Sequence, residues 1–253
     1  MEEKNPIQVA DRLFGALELL AASGPMGLME ISNSLQLNKS TAHRILNSLI
    51  YLGYVRQNNR NEKYELSMKI VQLANQRMEK QDILGTVRPY LQKLMELTKE
   101  TVHFVERDGN EVVYIDKVES FANSIQMVSR IGSRLPIYCS GVGKAIAAGL
   151  EDREVEQIWQ TSDIVKRTPG TITDYQVFLD TLAEVRRLGF AMDREENETG
   201  VLCIAASIQD CSGKSRYAFS ISAPVSRMHE SRIDQLAEYV LAAKKEMEHA
   251  LGM

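Results

Sequence analysis

Leu37-Asn38-Lys39-Ser40-Thr41-Ala42-His43-Arg44-Ile45-Leu46-Asn47-Ser48-Leu49 is the stretch around which the chain is organised. At about 100° per residue, Ala42, Ile45, Leu46 and Leu49 share one face of a helix, while Ser40, His43, Arg44 and Asn47 lie nearly opposite. One face is built for burial. The other offers a guanidinium, an imidazole, a hydroxyl and an amide, groups that hydrogen-bond base edges in a major groove. Asn38 is a good N-cap, which makes Lys39, Ser40 and Thr41 the first turn, where free backbone N–H groups favour a phosphate. Upstream, Gly27-Leu28-Met29-Glu30-Ile31-Ser32-Asn33-Ser34-Leu35 reads as a second short helix, and two short helices joined by a tight turn make a helix-turn-helix. Downstream, Gly53 ends the helix. Tyr54-Val55-Arg56 and Lys63-Tyr64-Glu65-Leu66 then alternate as two strands around a polar tip at 57–62, which is a wing.

Charge supports that reading. Residues 1–80 carry 10 Lys and Arg against 8 Asp and Glu, whereas residues 81–253 carry 20 against 26. The local excess comes from Lys39, Arg44, Arg56, Arg60 and Lys63 against Glu62, a patch suited to a phosphate backbone. The candidate DNA contacts are therefore Lys39, Ser40, Thr41, His43, Arg44, Asn47, Arg56 and Arg60, and the implied partner is double-stranded DNA.

The 253 residues suffice for two modest domains, and 44% apolar with 25% charged residues describes an ordinary globular protein. No apolar run reaches the roughly 18 to 20 residues of a membrane span, and Met1-Glu2-Glu3-Lys4 does not begin a signal peptide. A cytoplasmic protein with no membrane partner is expected. Cys139, Cys203 and Cys211 are too scattered for a disulfide framework or a paired zinc motif. Neither a metal site nor a cofactor is expected.

In chain order, Val9, Ala10, Leu13, Phe14, Leu17 and Leu20 follow helical spacing up to Ser23-Gly24-Pro25. Residues 1–66 thus form an N-terminal all-α winged helix-turn-helix, and 67–81 a connecting helix. From 82 the pattern changes. Residues 83–99 read as a helix broken or begun at Pro89. Residues 101–107 and 111–118 form a hairpin around Asp108-Gly109-Asn110, with a third strand expected at 124–129. Helices at 140–150, 152–160 and 175–188 follow. Strands at 200–209 and 216–223 flank a turn at Cys211-Ser212-Gly213-Lys214, and a last helix spans about 226–251. Residues 82–253 thus read as an α+β domain on an antiparallel sheet.

The combination resembles the IclR family of bacterial transcription regulators. It is carried by residues 37–44 with Leu52-Gly53-Tyr54-Val55, by Ser140-Gly141-Val142-Gly143-Lys144-Ala145, by Gly200-Val201-Leu202-Cys203-Ile204-Ala205-Ala206, and by Phe219-Ser220-Ile221-Ser222-Ala223-Pro224. The resemblance implies a GAF-like effector domain and a dimer, or dimer of dimers, on a partly palindromic operator. It also implies an effector pocket at Gly141, Val142, Asp193, Cys203, Ser220 and Ser222. The chemistry of these residues agrees. Ser140 can cap a helix whose small first-turn residues let a carboxylate approach free N–H groups. Ser220 and Ser222, two apart in a strand, share a face. An ionised Asp193 only accepts hydrogen bonds and so suits an effector hydroxyl. Each has a plainer alternative: edge serines, a carboxylate in the acidic run with Glu195 and Glu196, and a small buried thiol at Cys203.

Within the family the resemblance, including Ser133-Arg134-Leu135-Pro136, inclines toward members that regulate sugar-acid use and sense compounds like 2-keto-3-deoxygluconate. The expected function is a ligand-responsive regulator, a repressor, controlled by a small carboxylate or sugar keto acid, and not an enzyme. Two other classes remain beside it. One is a cytosolic sensor signalling through protein contacts; the other is a thiol hydrolase pairing Cys139 or Cys203 with a histidine such as His103, against which no catalytic motif appears.

Overall fold

The computed structural model describes residues 5–79, 83–120, 128–209 and 215–252. Three helices, α1 (Gln8–Ser23), α2 (Leu28–Ser34) and α3 (Lys39–Tyr51), precede an antiparallel ribbon of β1 (Val55–Gln57) and β2 (Tyr64–Leu66). Ala16, Leu20, Ile31, Ile45, Leu46 and Leu49 meet Val55 and Tyr64 in one core. The turn between α2 and α3 is closed by the Ser32 hydroxyl, which donates to the Leu37 carbonyl at 2.7 Å, and by the Leu37 N–H, which returns to Ser32 at 2.9 Å. Helix α4 (Lys69–Glu79) follows, and the chain divides into two units, Met1–Gln81 and Asp82–Met253.

Helix α1 buries less of its apolar set than its spacing suggests. Phe14 is 64% and Val9 57% exposed. Phe14 lies about 120° around the helix from Leu20, outside the stripe that α3 covers, and Val9 sits in the first turn.

The second unit begins with α5 (Ile83–Thr98), β3 (Thr101–Asp108), β4 (Glu111–Val118) and β5 (Arg134–Pro136). Helices α6 (Gly141–Ala148), α7 (Asp152–Thr161) and α8 (Tyr175–Leu188) come next, then β6 (Ala191–Arg194), β7 (Val201–Gln209), β8 (Ser215–Pro224) and α9 (Glu230–Ala250). Six strands form one antiparallel sheet in the order β5-β4-β3-β8-β7-β6. On one face Val102, Phe104, Ile204, Phe219 and Ile221 pack against Val87 and Leu91 of α5 and Leu236 and Val240 of α9. On the other, Val105, Ala205 and Ala218 pack against Val142, Ala145 and Ile146 of α6 and Phe178 and Leu182 of α8. This is an α+β domain with helices on both faces.

Several expectations are corrected. Helix α5 runs through Pro89; the proline forfeits one hydrogen bond toward the Gly85 carbonyl, but buried Val87, Leu91 and Leu94 hold the helix to the sheet. The strand expected at 124–129 lies mostly outside the described residues; Val128 and Ser129 have no strand pairing, and β5, which the sequence reading did not give, pairs with Glu111–Val113 of β4. Strand β6, absent from the sequence reading, is short and closes the far edge. The last helix begins at Glu230, after a 3-10 turn at Val225–Arg227 that follows Pro224. The turn expected at 211–214 lies outside the described residues.

Candidate functional site: a nucleic-acid face and an effector cavity

The Asn38 side chain caps α3 by accepting from the Thr41 N–H at 2.8 Å and from the Ser40 hydroxyl at 2.9 Å. Ala42, Ile45, Leu46 and Leu49 are buried, which turns Lys39, Ser40, His43, Arg44 and Asn47 outward. Thr41 is half-buried. His43 and Asn47, one turn apart, approach within 3.4 Å. The far end of α3 is held by Lys69, whose ammonium donates to the Leu52 carbonyl at 2.6 Å and lies 4.7 Å from the centre of the Tyr54 ring. A cation there also complements the negative end of the helix dipole. Arg60 is exposed at the wing tip. Arg56 departs from the expectation of an unopposed cation: Glu65 is its register partner across the ribbon and accepts its Nε–H at 2.8 Å. The alternation of the two strands puts that carboxylate on the same face, so the wing is less basic than a count against Glu62 alone suggests.

The six residues expected at the effector site come from four elements, and the fold brings them all to one cavity of about 320 Å³. Sheet register does most of this. Asp193 of β6 pairs with Cys203 of β7, and Cys203 with Ser222 of β8; on the next row Ser220 pairs with His103 of β3. These side chains are smaller or more polar than the Val105 and Ala218 row, so the helix layer does not fill the space above them. Helix α6 supplies the opposite wall. The Ser140 hydroxyl accepts from the Gly143 N–H at 3.2 Å and donates to the Pro136 carbonyl at 2.8 Å, while the Ser140 carbonyl takes the Lys144 N–H. That leaves the N–H groups of Gly141 and Val142 without a partner inside the helix, at the cavity wall. A Cβ on Gly143 would fall 2.5 Å from the Ile137 backbone, so only glycine allows this approach.

The polar groups are almost fully withdrawn from water. His103 is 2% exposed; its ring nitrogens lie 3.1 Å from the Ser222 hydroxyl and 2.6 Å from that of Ser129. Burial, reinforced by the Lys117 ammonium, pushes its pKa down to about 3, so the ring is neutral. Asp193 is 5% exposed and accepts the Glu196 N–H at 2.7 Å. Burial pushes its carboxyl up to about 7, against the opposing pull of backbone donors and Lys144. Burial thus favours the neutral acid over the carboxylate that would only accept hydrogen bonds. Lys144 and Glu196 form a buried ion pair directly beneath, and Glu196 keeps one carboxylate oxygen without a partner.

Residues 75–249 match the bacterial transcriptional regulator IclR C-terminal family, and residues 9–59 match the IclR helix-turn-helix domain. The chain belongs to the IclR family. It is 33% identical over 252 residues to the HTH-type transcriptional regulator KdgR of Escherichia coli, covering 99% of this chain and 95% of that protein. It is also 33% identical to the HTH-type transcriptional repressor AllR of Salmonella paratyphi A, covering 97% and 90%. The crystal structure of the Thermotoga maritima IclR superposes with a TM-score of 0.85 at 29% identity, covering 96% of this chain and 98% of that one.

As an IclR-family member the protein is a DNA-binding, ligand-responsive transcription regulator and not an enzyme. The thiol chemistry fits that identity: burial pushes the Cys139 thiol up to about 11 and Cys203 higher still, and His103 bonds serines rather than a cysteine. Among the described residues no helix is long and apolar enough to cross a membrane. The cavity also contains residues that the sequence reading passed over, among them Tyr114, Ser129, Asn197 and Glu198, with His103 weighed only within the enzyme alternative. Strand alternation could have found His103, since Val102 and Phe104 claim the opposite face. Nothing in the sequence pointed to Tyr114 or Asn197. Of 133–136, Ser133 and Leu135 line the cavity, while Arg134 turns away to Asp108 and Glu111.

Proposed function

We propose that residues 1–66 bind an operator, residues 67–81 connect, and residues 82–253 bind a small carboxylate or sugar keto acid whose occupancy changes operator affinity. The regulator acts in the cytoplasm as a repressor, like the AllR relative named as one. The observation that carries the effector assignment is the meeting of Gly141, Val142, Asp193, Cys203, Ser220 and Ser222 around one cavity at the N-terminus of α6. Free N–H groups, two hydroxyls and a carboxyl suit an oxygen-rich acid, and helix N–H groups can hold its carboxylate without lysine or arginine. The test is calorimetry with pyruvate, glyoxylate and sugar keto acids, followed by gel shifts on the protein's own promoter region with and without each binder. Binding that is indifferent to Ser220, Ser222 and Asp193 defeats the assignment, and the absence of any retarded duplex at moderate salt defeats the operator.

Operator binding as a dimer or dimer of dimers follows from the reach of one recognition helix, which contacts too few base pairs for specificity. Exposed Ile7, Val9 and Phe14 around the start of α1, with Val71 and Leu73 of α4, supply apolar surface for such a contact. A monomer by sedimentation at micromolar concentration, with operator present, removes this part of the reading.

A further inference from the structure

The cavity constrains the charge of its occupant. Its described lining includes two acidic side chains, Asp193 and Glu198, and neither a lysine nor an arginine. Glu198 is exposed at the mouth, whereas Asp193 is buried at the wall. A Cβ built on Gly141 would come within 3.5 Å of the Asp193 Cβ, so this carboxyl shares a corner with the first turn of α6. The ionisable groups around it are Lys144 of α6, Glu196 and Glu198 of the loop after β6, Cys203 of β7, Cys139 ahead of α6, Tyr114 of β4 and, in the same cavity, the neutral His103 of β3. Lys144 is the one cation among them, and it is committed to Glu196. A carboxylate held by the α6 N–H groups would therefore bring a second negative charge beside Asp193 in a site withdrawn from water, where like charges cannot both persist.

Building on the effector assignment above, we infer that the cavity takes its effector as a monoanion, and that Asp193 enters the complex as a neutral carboxylic acid whose O–H donates to the effector's carboxylate. Oδ1 accepts the Glu196 N–H at 2.7 Å, the Asn197 N–H also bonds the carboxyl, and an acid O–H on this buried group has the first turn of α6 and whatever is bound there as its nearest neighbours. Burial has moved the group to about 7 before any ligand arrives, so protonation near neutral pH is inexpensive. The balance is one proton drawn from solvent per effector bound above that pH and almost none below it; the effector stays ionised. Selectivity follows. A dicarboxylate would need a second proton on a second buried acid, and the other acid lining the cavity, Glu198, is exposed to water.

The experiment is calorimetry of the full-length wild type with pyruvate, 2-keto-3-deoxygluconate and 2-oxoglutarate, at about pH 6 and about pH 8, in buffers of differing ionisation enthalpy. The expected result is uptake of about 0.9 proton per site at the higher pH and about 0.1 at the lower, with roughly tenfold weaker binding at the higher. The dicarboxylate should bind at least about tenfold more weakly than the monocarboxylates. Asp193→Asn keeps the acceptor for Glu196 and supplies a permanent N–H donor, so it should bind monocarboxylates with no proton uptake and equal affinity at both pH values. A keto acid that binds wild type at the higher pH without proton uptake, or a dicarboxylate preferred over both monocarboxylates, overturns the inference while leaving the effector site standing. If none of the three binds at either pH, the effector assignment itself fails, and this inference with it.

Discussion

The two proposed binding surfaces of this protein are both built from polar side chains and differ in charge and in their access to water. On α3, Lys39, His43, Arg44 and Asn47 stand in solvent above an apolar face. In the cavity, His103, Asp193, Ser220 and Ser222 are each no more than 5% exposed. The exposed set is held by one cap and a short core, and each member can be removed without consequence for its neighbours. The buried set is interlocked: Ser220 to Ser222 at 3.4 Å, Ser222 to His103, His103 to Ser129, Asp193 to Glu196, and Glu196 to Lys144. A polar group in water is replaced by water when lost, whereas one in the interior leaves its partner orphaned. Substitutions on α3 should therefore change DNA binding alone, while those in the cavity should change stability and effector binding together.

The sharpest contrast is between two ion pairs. Lys144→Met leaves the Glu196 carboxylate buried and unpaired, and should cost about 3 to 5 kcal/mol in urea unfolding. The double variant Lys144→Met with Glu196→Gln should recover most of that loss. Arg56→Ala, which breaks a pair whose arginine is 69% exposed, should cost at most about 1 kcal/mol. Similar losses at the two sites would erase the distinction.

Next in size is the pH dependence of stability. The folded state holds the Asp193 proton up to about 7 against a model value of 3.8, so this group stabilises at low pH and its contribution fades as pH rises through that window. The folded state refuses a proton to His103 down to about 3 against 6.5, so this group's contribution is lost as pH falls from 6.5. The two oppose each other at roughly 1.4 kcal/mol per pH unit. Between about pH 4.5 and 6.5, His103→Gln should therefore gain about 2 to 3 kcal/mol on acidification relative to wild type, and Asp193→Asn should lose a similar amount. Unfolding midpoints across that range decide the matter, and parallel curves for the two variants would contradict it.

Ser222→Ala strips a partner from buried His103 and should cost about 1 to 3 kcal/mol of effector affinity, read by calorimetry, with operator affinity in the absence of effector unchanged. Arg44→Ala mirrors it: about 1 to 3 kcal/mol of operator affinity if the guanidinium reads a base, with a thermal midpoint and effector affinity like wild type. The smallest effect belongs to Arg60 at the wing tip. Its alanine variant should weaken all sequences alike and lower the salt slope by about 1.

The helices of the first unit were legible because their apolar spacing and their cap are local: Asn38 lies within four residues of every group it binds, and Ala42, Ile45, Leu46 and Leu49 declare their face by position alone. Strands β3 and β4 were legible as a hairpin around Asp108-Gly109-Asn110, and β7 and β8 as runs on either side of the turn-type residues at 211–214, signals that are local for the same reason. The edge strands β5 and β6 were not legible. They span three and four residues, no longer than the wing strands β1 and β2 by more than one residue, but no tight hairpin turn with a partner of matching length marks them: β5 pairs with Glu111–Val113 at the far end of β4, and β6 covers only part of the longer β7. The α6 cap and the paired serines of β8 were readable one by one, and the family resemblance joined them to Asp193 and Cys203.

By itself, then, the sequence determined the winged helix-turn-helix, the caps and the strand faces, because these are written within a few residues of one another, and the family, because four such stretches follow one another along the chain. The tertiary structure alone decided which groups lose water. Register sets Asp193, Cys203 and Ser222 in one row, and α6 closes over them. Burial then keeps His103 neutral, favours the acid form of Asp193 and makes Lys144 the partner of Glu196. Charge state depends on the dielectric and on neighbours that the fold brings together, such as Lys144 and Glu196 from 52 residues apart, and no local pattern carries that information.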